Sequence, residues 1–291
     1  MRLAVVGRGK WGTNIVRTLA SMSDVELIGE SKDVDLVLRQ RPAGVLIATP
    51  SATHADVAIP FIDAGVPTFI EKPMATTVYD AIRISEAALR SGAPVVVGHV
   101  HLHNPAFQAA KKLLPDVEPV QAVFWEGMNH HPRSDSSVLW DWLPHGLSMA
   151  RALFDANPGS VQAWGVGAAS RFTAASAKFA FGEIPLIANV SWLSPPKRHR
   201  LTIVGEDNSL TFDDTADRKL SLHTSRGASH PGYDDELPLT RELQAFLGVV
   251  RAGHLDTAQI KSEVALVRAV AAAEESARNA GKPVAIDDGQ S

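Results

Sequence analysis

The sequence predicts an α/β protein in two parts. A doubly wound parallel sheet fills residues 1–99, and an α+β domain with a large, mostly antiparallel open sheet fills residues 100–291. Three observations lead there. Short apolar runs alternate with helical patterns through the first hundred residues, which is the rhythm of strand–helix–strand units with right-handed crossovers. Past residue 100 the pattern changes to apolar–polar alternation of period two, as in a sheet with one face buried. A glycine-rich turn joins the first strand to the first helix. A chain of 291 residues is also long for one core and comfortable for two.

Taken in order, the strands of the first part are Leu3–Val6, Val25–Ile28, Val45–Ala48, Thr68–Ile70 and Val95–Val97. They are short apolar runs, as expected for strands buried on both faces. Helical patterns lie between them at 11–22, 32–40, 54–64 and 76–91. Gly65-Val66-Pro67 and Ser91-Gly92-Ala93-Pro94 supply the punctuation that ends the last two. A linking helix follows over Asn104–Leu114, stopped by Pro115. Alternating segments come next near 119–127, 160–170, 176–181, 186–193, 200–205 and 219–223. Helical patterns return at 239–252 and 260–280.

Composition narrows the function. A 45% hydrophobic and 21% charged chain is an ordinary globular protein, and a net charge of −4 gives no basic field for nucleic acid or an anionic membrane. Zero cysteines exclude disulfides, thiolate metal sites and thiol nucleophiles. No apolar run approaches the length of a membrane span, and Met1-Arg2 leads straight into a strand. The expectation is a cytoplasmic protein.

Four motifs carry the chemistry. Gly7-Arg8-Gly9-Lys10-Trp11-Gly12 follows a strand and opens a helix, the context in which a glycine loop binds a dinucleotide. Gly7 permits the tight turn, Gly9 lets the backbone approach a pyrophosphate, and Gly12 lets helix and strand pack closely. Glu30 ends the second strand where a ribose-binding acid is expected. Lys32 or Arg8 would instead meet a 2′-phosphate, and Glu30 also fits as the cap of the next helix. The cofactor is therefore NAD or NADP, with NAD favoured. The remaining motifs are Ala48-Thr49-Pro50 with His54, Glu71-Lys72-Pro73, and Asp141 followed four residues later by His145.

Asp141 and His145 share a helix face, and Pro144 between them places Asp141 near the N-cap and His145 close to the positive end of the dipole. An imidazole is the natural base for a hydroxyl proton. Lys72 can bind the reacting oxygen. The bland alternatives are a capping aspartate, a half-buried histidine and a solvated lysine. His99, His101 and His103 would share one face of a strand; with His130 and His131 they lack a recurrent ligand spacing, so no metal is expected. Substrate contact fits His99 and His103 better, and packing fits His101. Lys197-Arg198-His199-Arg200 reads as a phosphate contact or a solvated hairpin tip. Trp140 flanks Asp141 and is a further substrate-side candidate.

With Ala-Thr-Pro-Ser-Ala-Thr-His at 48–54 and Glu-Lys-Pro at 71–73, the chain resembles the Gfo/Idh/MocA oxidoreductases. Val97-Gly98-His99, Asn104-Pro105, Leu139-Trp140-Asp141, His145, Ser191–Pro195, Val204-Gly205 and Leu237-Pro238-Leu239 extend the resemblance over nearly the whole chain. The branch containing nucleotide-sugar 3-dehydrogenases looks nearest. The resemblance implies an N-terminal Rossmann domain, an open C-terminal sheet making homodimer or homotetramer contacts, and a cis peptide before Pro73. It implies catalytic roles for Lys72, Asp141 and His145, which are expected to meet at the nicotinamide. Cofactor contacts fall to Gly7, Arg8, Gly9, Lys10, Trp11, Gly12, Glu30, Thr49, Pro50, His54, Glu71 and Lys72. Substrate contacts fall to Lys72, His99, His103, Trp140, Asp141 and His145.

Three departures stand out. The stretch between the second and third strands is shorter than usual. Gly98-His99-Val100-His101-Leu102-His103-Asn104-Pro105 replaces the branch's Gly-His-Val-Glu-Arg-Phe-Asn-Pro. Gly146 stands where that branch has aspartate. The expected activity is hydride transfer between NAD(P) and a hydroxyl-bearing carbon of a sugar, cyclitol or nucleotide sugar. Reduction of an imine or conjugated ligand, or a catalytically silent cofactor-binding sensor, is the alternative.

Overall fold

The computed structural model describes residues 1–30, 33–134 and 136–287. The chain divides into two compact units, Met1–Val100 with Leu237–Val267, and His101–Glu236 with Arg268–Ser291. The sequence reading sets one boundary, at 99/100. The second differs from expectation, because Leu237–Val267 packs with the N-terminal unit rather than with the sheet that precedes it in the chain.

The first unit begins with β1 (Arg2–Val6), α1 (Lys10–Ala20), β2 (Glu26–Glu30), α2 (Val34–Arg39) and β3 (Gly44–Ile47). It continues through α3 (His54–Asp63), β4 (Thr68–Glu71), α4 (Val78–Ser91) and β5 (Val95–Gly98). The five strands form one parallel sheet in the order β2-β1-β3-β4-β5. Strand β1 lies between β2 and β3, and its residues Leu3–Val6 are fully buried. The helices end as their sequences dictate: α4 is capped by Thr77, whose hydroxyl accepts from the Asp80 amide, and stops at Gly92 in the left-handed region.

Helix α7 (Pro238–Ala252) explains the second break. Leu243, Phe246 and Leu247 recur at helical spacing and join Leu3, Val5, Ile15, Leu19, Leu46 and Phe69 in one core. Phe246 meets Phe69 edge to face, with centroids 5.6 Å apart. At Gly44 an added Cβ would lie 3.0 Å from Val250 and 3.3 Å from Phe246, so the glycine lets the helix close on the strand. A parallel sheet needs cover on both faces, and α7 returns from late in the chain to provide it.

The second unit contains α5 (Pro105–Lys112), β6 (Val120–Met128), α6 (Val138–Phe154), β7 (Ser160–Ala168), β8 (Arg171–Phe181) and β9 (Ile184–Ser191). These are followed by β10 (Arg198–Gly205), β11 (Ser209–Asp213), β12 (Leu220–Thr224) and β13 (Gly227–Ser229). Helix α8 (Thr257–Arg278) contains the break at 267/268, and β14 (Val284–Ala285) ends the described chain. Nine strands run in the order β13-β12-β11-β10-β6-β9-β8-β7-β14, antiparallel except for the parallel β6–β9 pair. Strand β8 is longer than its sequence pattern, and β11 has no counterpart in it. The turn cluster Glu206-Asp207-Asn208 marks the hairpin to β11, where the Gly205 amide donates to the Asn208 carbonyl.

Helix α6 covers one face of this sheet across β6, β8 and β9. The alternation is direct: Val123 and Trp125, then Ala175, Ala177 and Phe179, then Leu186, Ala188 and Val190 are all buried. If α7 is integral to the first unit, Phe246→Ala should remove about 3–5 kcal/mol of stability. Chemical denaturation should show that loss in the midpoint. A loss below about 1 kcal/mol, the scale of a surface change, would contradict the assignment.

Candidate active site

In the first unit, the glycine loop is shaped by what side chains would strike. At Gly7, whose φ is +124°, a Cβ would lie 2.3 Å from the Ala48 carbonyl oxygen; at Gly12 it would lie 2.0 Å from the Gly7 carbonyl oxygen. Over Gly9 a Cβ would meet nothing within 4 Å. Gly9 is the N-cap residue of α1 and offers no side-chain cap, so the first amides of the helix face outward without an intrahelical acceptor. Arg8, Lys10 and Trp11 are exposed around it. An anion fits such a helix start.

Glu30 closes β2, and its side chain, like Ser31 and Lys32, lies outside the described residues. The cap of α2 is Asp33, which accepts from the Leu36 amide, so the capping alternative for Glu30 is replaced by its neighbour. The short connection therefore holds one helix of six residues.

His54 ties the second and third motifs together. It is buried at the start of α3, with Nδ1 2.9 Å from the Pro73 carbonyl and Nε2 3.0 Å from the Thr49 carbonyl. Both partners are acceptors, and a neutral imidazole can donate to only one of them. Thr49 also accepts from the Thr53 hydroxyl at 2.9 Å, and Pro50 precedes the short 3-10 turn that leads into the helix. The ring thus braces the turn that carries Lys72, whose bond to Pro73 is cis. Sequence reasoning lists His54 as a cofactor contact; in the structure its two ring nitrogens lie against backbone carbonyls.

Glu71, at the end of β4, is buried, and burial lifts its carboxyl from the ordinary 4.5 to about 7, with the Lys72 charge and backbone amide offsetting part of the rise. Glu242 on α7 is buried as well, and its Oε1 has no hydrogen-bond partner. Burial, with the neighbouring Glu71 charge, pushes it well above the usual carboxylate range. Nothing in the motifs marks Glu242; the available signal is a carboxylate beside the apolar stripe of α7.

His99, expected as a substrate contact, pairs with a carboxylate. It follows β5, is buried, and Nε2 lies 2.8 Å from Glu263 on α8. The 98–103 run is no strand beyond Gly98, because Val100–His103 forms a 3-10 turn. The rings therefore do not share one face. His103 is half-buried.

In the second unit, Ser137 caps α6, and Asp141 lies in its first turn. Pro144 is seven residues into the helix rather than in its first turn, which moves His145 beyond the reach of the helix dipole. The Asp141 carboxylate accepts from Trp192 Nε1 at 2.9 Å and faces Arg133 at 3.7 Å. Trp140 and His145 are buried. The indole of Trp125 fixes the helix: its Nε1 donates to the Trp142 carbonyl at 3.1 Å, and a Cβ at Gly146 would fall 2.6 Å from its ring. Gly146 is thus the residue that admits Trp125.

The basic run at 197–200 splits across a sheet. Arg198 and Arg200 on β10 both pair with Glu126, while His199 turns to the buried face. They form strand rather than hairpin tip. Among the described residues, no group of three or more histidines and carboxylates has the geometry to hold a metal ion.

The Glu71–Glu242 pair makes a prediction about pH. A carboxyl raised in the folded state binds protons that the unfolded chain releases, so stability falls as pH rises from 4.5 through about 7. The loss should be about 3 kcal/mol at most from Glu71. Denaturation midpoints should fall over that window, and Glu242→Gln should flatten the fall. A midpoint that rises across it in the unmodified protein would refute the assignment.

Comparison with known proteins agrees with this geometry. A family model described as "Oxidoreductase family, NAD-binding Rossmann fold" matches residues 28–99. A 1-carboxy-3-chloro-3,4-dihydroxycyclo hexa-1,5-diene dehydrogenase of Comamonas testosteroni is 30% identical over 151 residues, 45% of this chain and 38% of that protein. Inositol 2-dehydrogenase 2 of Saccharopolyspora erythraea is 27% identical over 181 residues, 53% of each. The chain spans about half or less of the length of these curated relatives. A solved oxidoreductase structure from Magnetospirillum magnetotacticum MS-1 has 29% identity and a TM-score of 0.84, covering 94% of this chain and 99% of that one. The Glu71-Lys72-Pro73 turn lies within the matched residues, the fold is shared with the solved oxidoreductase over nearly its whole length, and these matches support a Gfo/Idh/MocA oxidoreductase.

Proposed function

We propose that the chain is a dehydrogenase that transfers a hydride between NAD and a hydroxyl-bearing carbon of a cyclitol, sugar or nucleotide sugar. The observation that carries this reading is the placement of Asp141, held by Trp192 and Arg133, one turn before the buried His145 on α6. The open space over Gly9 at the start of α1 fits a pyrophosphate, and the family description favours NAD over NADP. The inositol dehydrogenase relative supports a polyhydroxylated ring as substrate.

Bound nicotinamide supplies the hydride acceptor. The protein's own residues supply the rest. Lys72, on the turn braced by His54, binds the reacting oxygen and favours its alkoxide form. His145 takes the hydroxyl proton, and Asp141 keeps negative charge beside it for the imidazolium that results. In the reverse direction the same imidazole returns the proton. We assign the cofactor loop to Gly7–Gly12 with Thr49 and Pro50, and the substrate side to Lys72, Trp140, Asp141, His145 and His103.

A homo-oligomer built on the open sheet completes the reading. Trp164 and Val166 on β7 are more than half exposed and line an apolar groove of about 330 Å³ with Met128, Ala174 and Val190. Sedimentation should show a dimer or tetramer, and Trp164→Glu should shift it toward monomer.

Activity is tested by following nicotinamide absorbance across a panel of cyclitols and sugars. Lys72→Ala and His145→Ala should each lower turnover by ~10²–10⁴-fold with little change in cofactor affinity. Asp141→Asn should cost less, because it keeps a polar partner. A Cβ at Gly9 meets no protein atom within 4 Å, so Gly9→Val should fold normally yet lose NADH and NADPH binding in a fluorescence titration. Unchanged turnover in a Lys72→Ala/His145→Ala double variant would refute the chemistry, and unchanged cofactor affinity in Gly9→Val would refute the loop.

A further inference from the structure

We propose that His101 and His199 are positioning residues that keep the His145 imidazole neutral by carrying the positive charge of one buried three-imidazole cluster. The inference rests on the reading of His145 as the base, and it concerns residues which that reading does not use.

The cluster lies wholly within the second unit. The His101 ring stands edge to face with His145 at 4.7 Å between centroids and with His199 at 5.6 Å. Trp142 packs on His199 at 4.6 Å and on His145 at 5.6 Å, while Trp125 lies 5.9 Å from His101. Phe212 closes the side of His101 at 6.1 Å. All three imidazoles are at least nine-tenths buried. The three rings come from separate elements: the 3-10 turn after β5, helix α6 and strand β10. His101 also falls in the segment that departs from the family pattern.

The charged groups around the cluster are unevenly arranged. Asp214, just past β11, lies 3.9 Å from His199 Nδ1 and accepts from Asn104 and Lys219 at 2.8 Å each. Burial alone would raise its carboxyl, but His199 and Lys219, with the charge of His101, hold it well below the usual range. On the α6 side Asp141 is the nearest carboxylate, and Arg133 offsets its charge. Glu126 pairs with both Arg198 and Arg200 on the opposite face of β6 and β10, leaving one net positive charge there. Lys219 offsets Asp214 as Arg133 offsets Asp141, but Asp214 lies within 3.9 Å of His199 Nδ1, so a proton placed on the cluster is best stabilised at the His199–His101 end.

Two imidazolium charges 4.7 Å apart repel strongly. At an effective dielectric of about 20 the repulsion is worth about two to three pH units of titration midpoint. With the cluster's proton at His199 or His101, a second proton on His145 is disfavoured, and the ring is ready to accept one from substrate. The sign follows directly. Removing the charge at 101 or 199 raises the His145 midpoint and moves the acid limb of kcat/KM to higher pH.

The test is site-resolved NMR titration of histidine imidazoles in the full chain, with His145 assigned by its absence in His145→Ala. In His101→Phe, which keeps an aromatic ring in the cage, and in His199→Gln, the His145 midpoint should rise by about one pH unit or more. The kcat/KM acid limb should follow in the same direction. If either variant fails to fold, Asp214→Asn reads the same coupling from the partly exposed edge: the His199 midpoint should fall and that of His145 should rise. A His145 midpoint that stays in place in the folded variants overturns the proposal. A midpoint that moves while His145→Ala retains full turnover upholds the coupling and removes only the reading of His145 as base.

Discussion

The contact between the Trp125 indole and Gly146 is the constraint on which the second unit depends. A nine-stranded sheet with one helix across it could accept that helix in many positions. Here the indole lies against the Cα of Gly146 and donates to the Trp142 carbonyl, which fixes both the height and the rotation of α6. Gly127 admits the same pair of tryptophans from the strand side, since its Cβ would fall 2.9 Å from each. Asp141 and His145 take their places as a consequence. The residue that looks like a lost aspartate is the one that lets the helix seat.

The first unit solves a different problem. Its parallel sheet buries strands on both faces, and the helices within Met1–Val100 leave part of one face to α7. Bringing α7 onto the sheet also brings Glu242 into the same interior as Glu71, so a stabilising apolar contact carries two carboxyl groups away from water. Apolar packing of Leu243, Phe246 and Leu247 offsets that desolvation. The brace from His54 to the carbonyls of Thr49 and Pro73 then joins the ends of β3 and β4, which is where an α/β sheet presents its ligand-binding loops.

Much of this was legible in the residues. Apolar runs near Leu3, Val45, Thr68 and Val95 specify parallel strands because nothing but burial on both faces suits them, and the glycine spacing at 7, 9 and 12 specifies a turn that larger residues would block. Period-two alternation marks most of the second sheet. What was not legible depends on contacts distant in sequence. The partnership of Phe246 with Phe69 and of His99 with Glu263 cannot be read from local pattern. Pro144 misleads because proline is commonest in a first turn, whereas Ser137 starts α6 a full turn and a half earlier. The buried role of His199 is hidden inside a run of basic residues whose alternate members point to opposite faces of a strand.

The late return of α7 has a consequence for synthesis. Residues 1–100 leave the ribosome carrying Leu46 and Phe69 on a sheet whose cover does not yet exist. All of His101–Glu236 must be made before Leu243 and Phe246 emerge, an interval on the order of ten seconds at about 5–20 residues per second. During that time the nascent chain presents apolar surface without its final cover, the feature that makes incomplete folds prone to aggregate. Birth order and burial order are therefore opposed in this protein. Met1–Val100 is translated well before the helix that seals it.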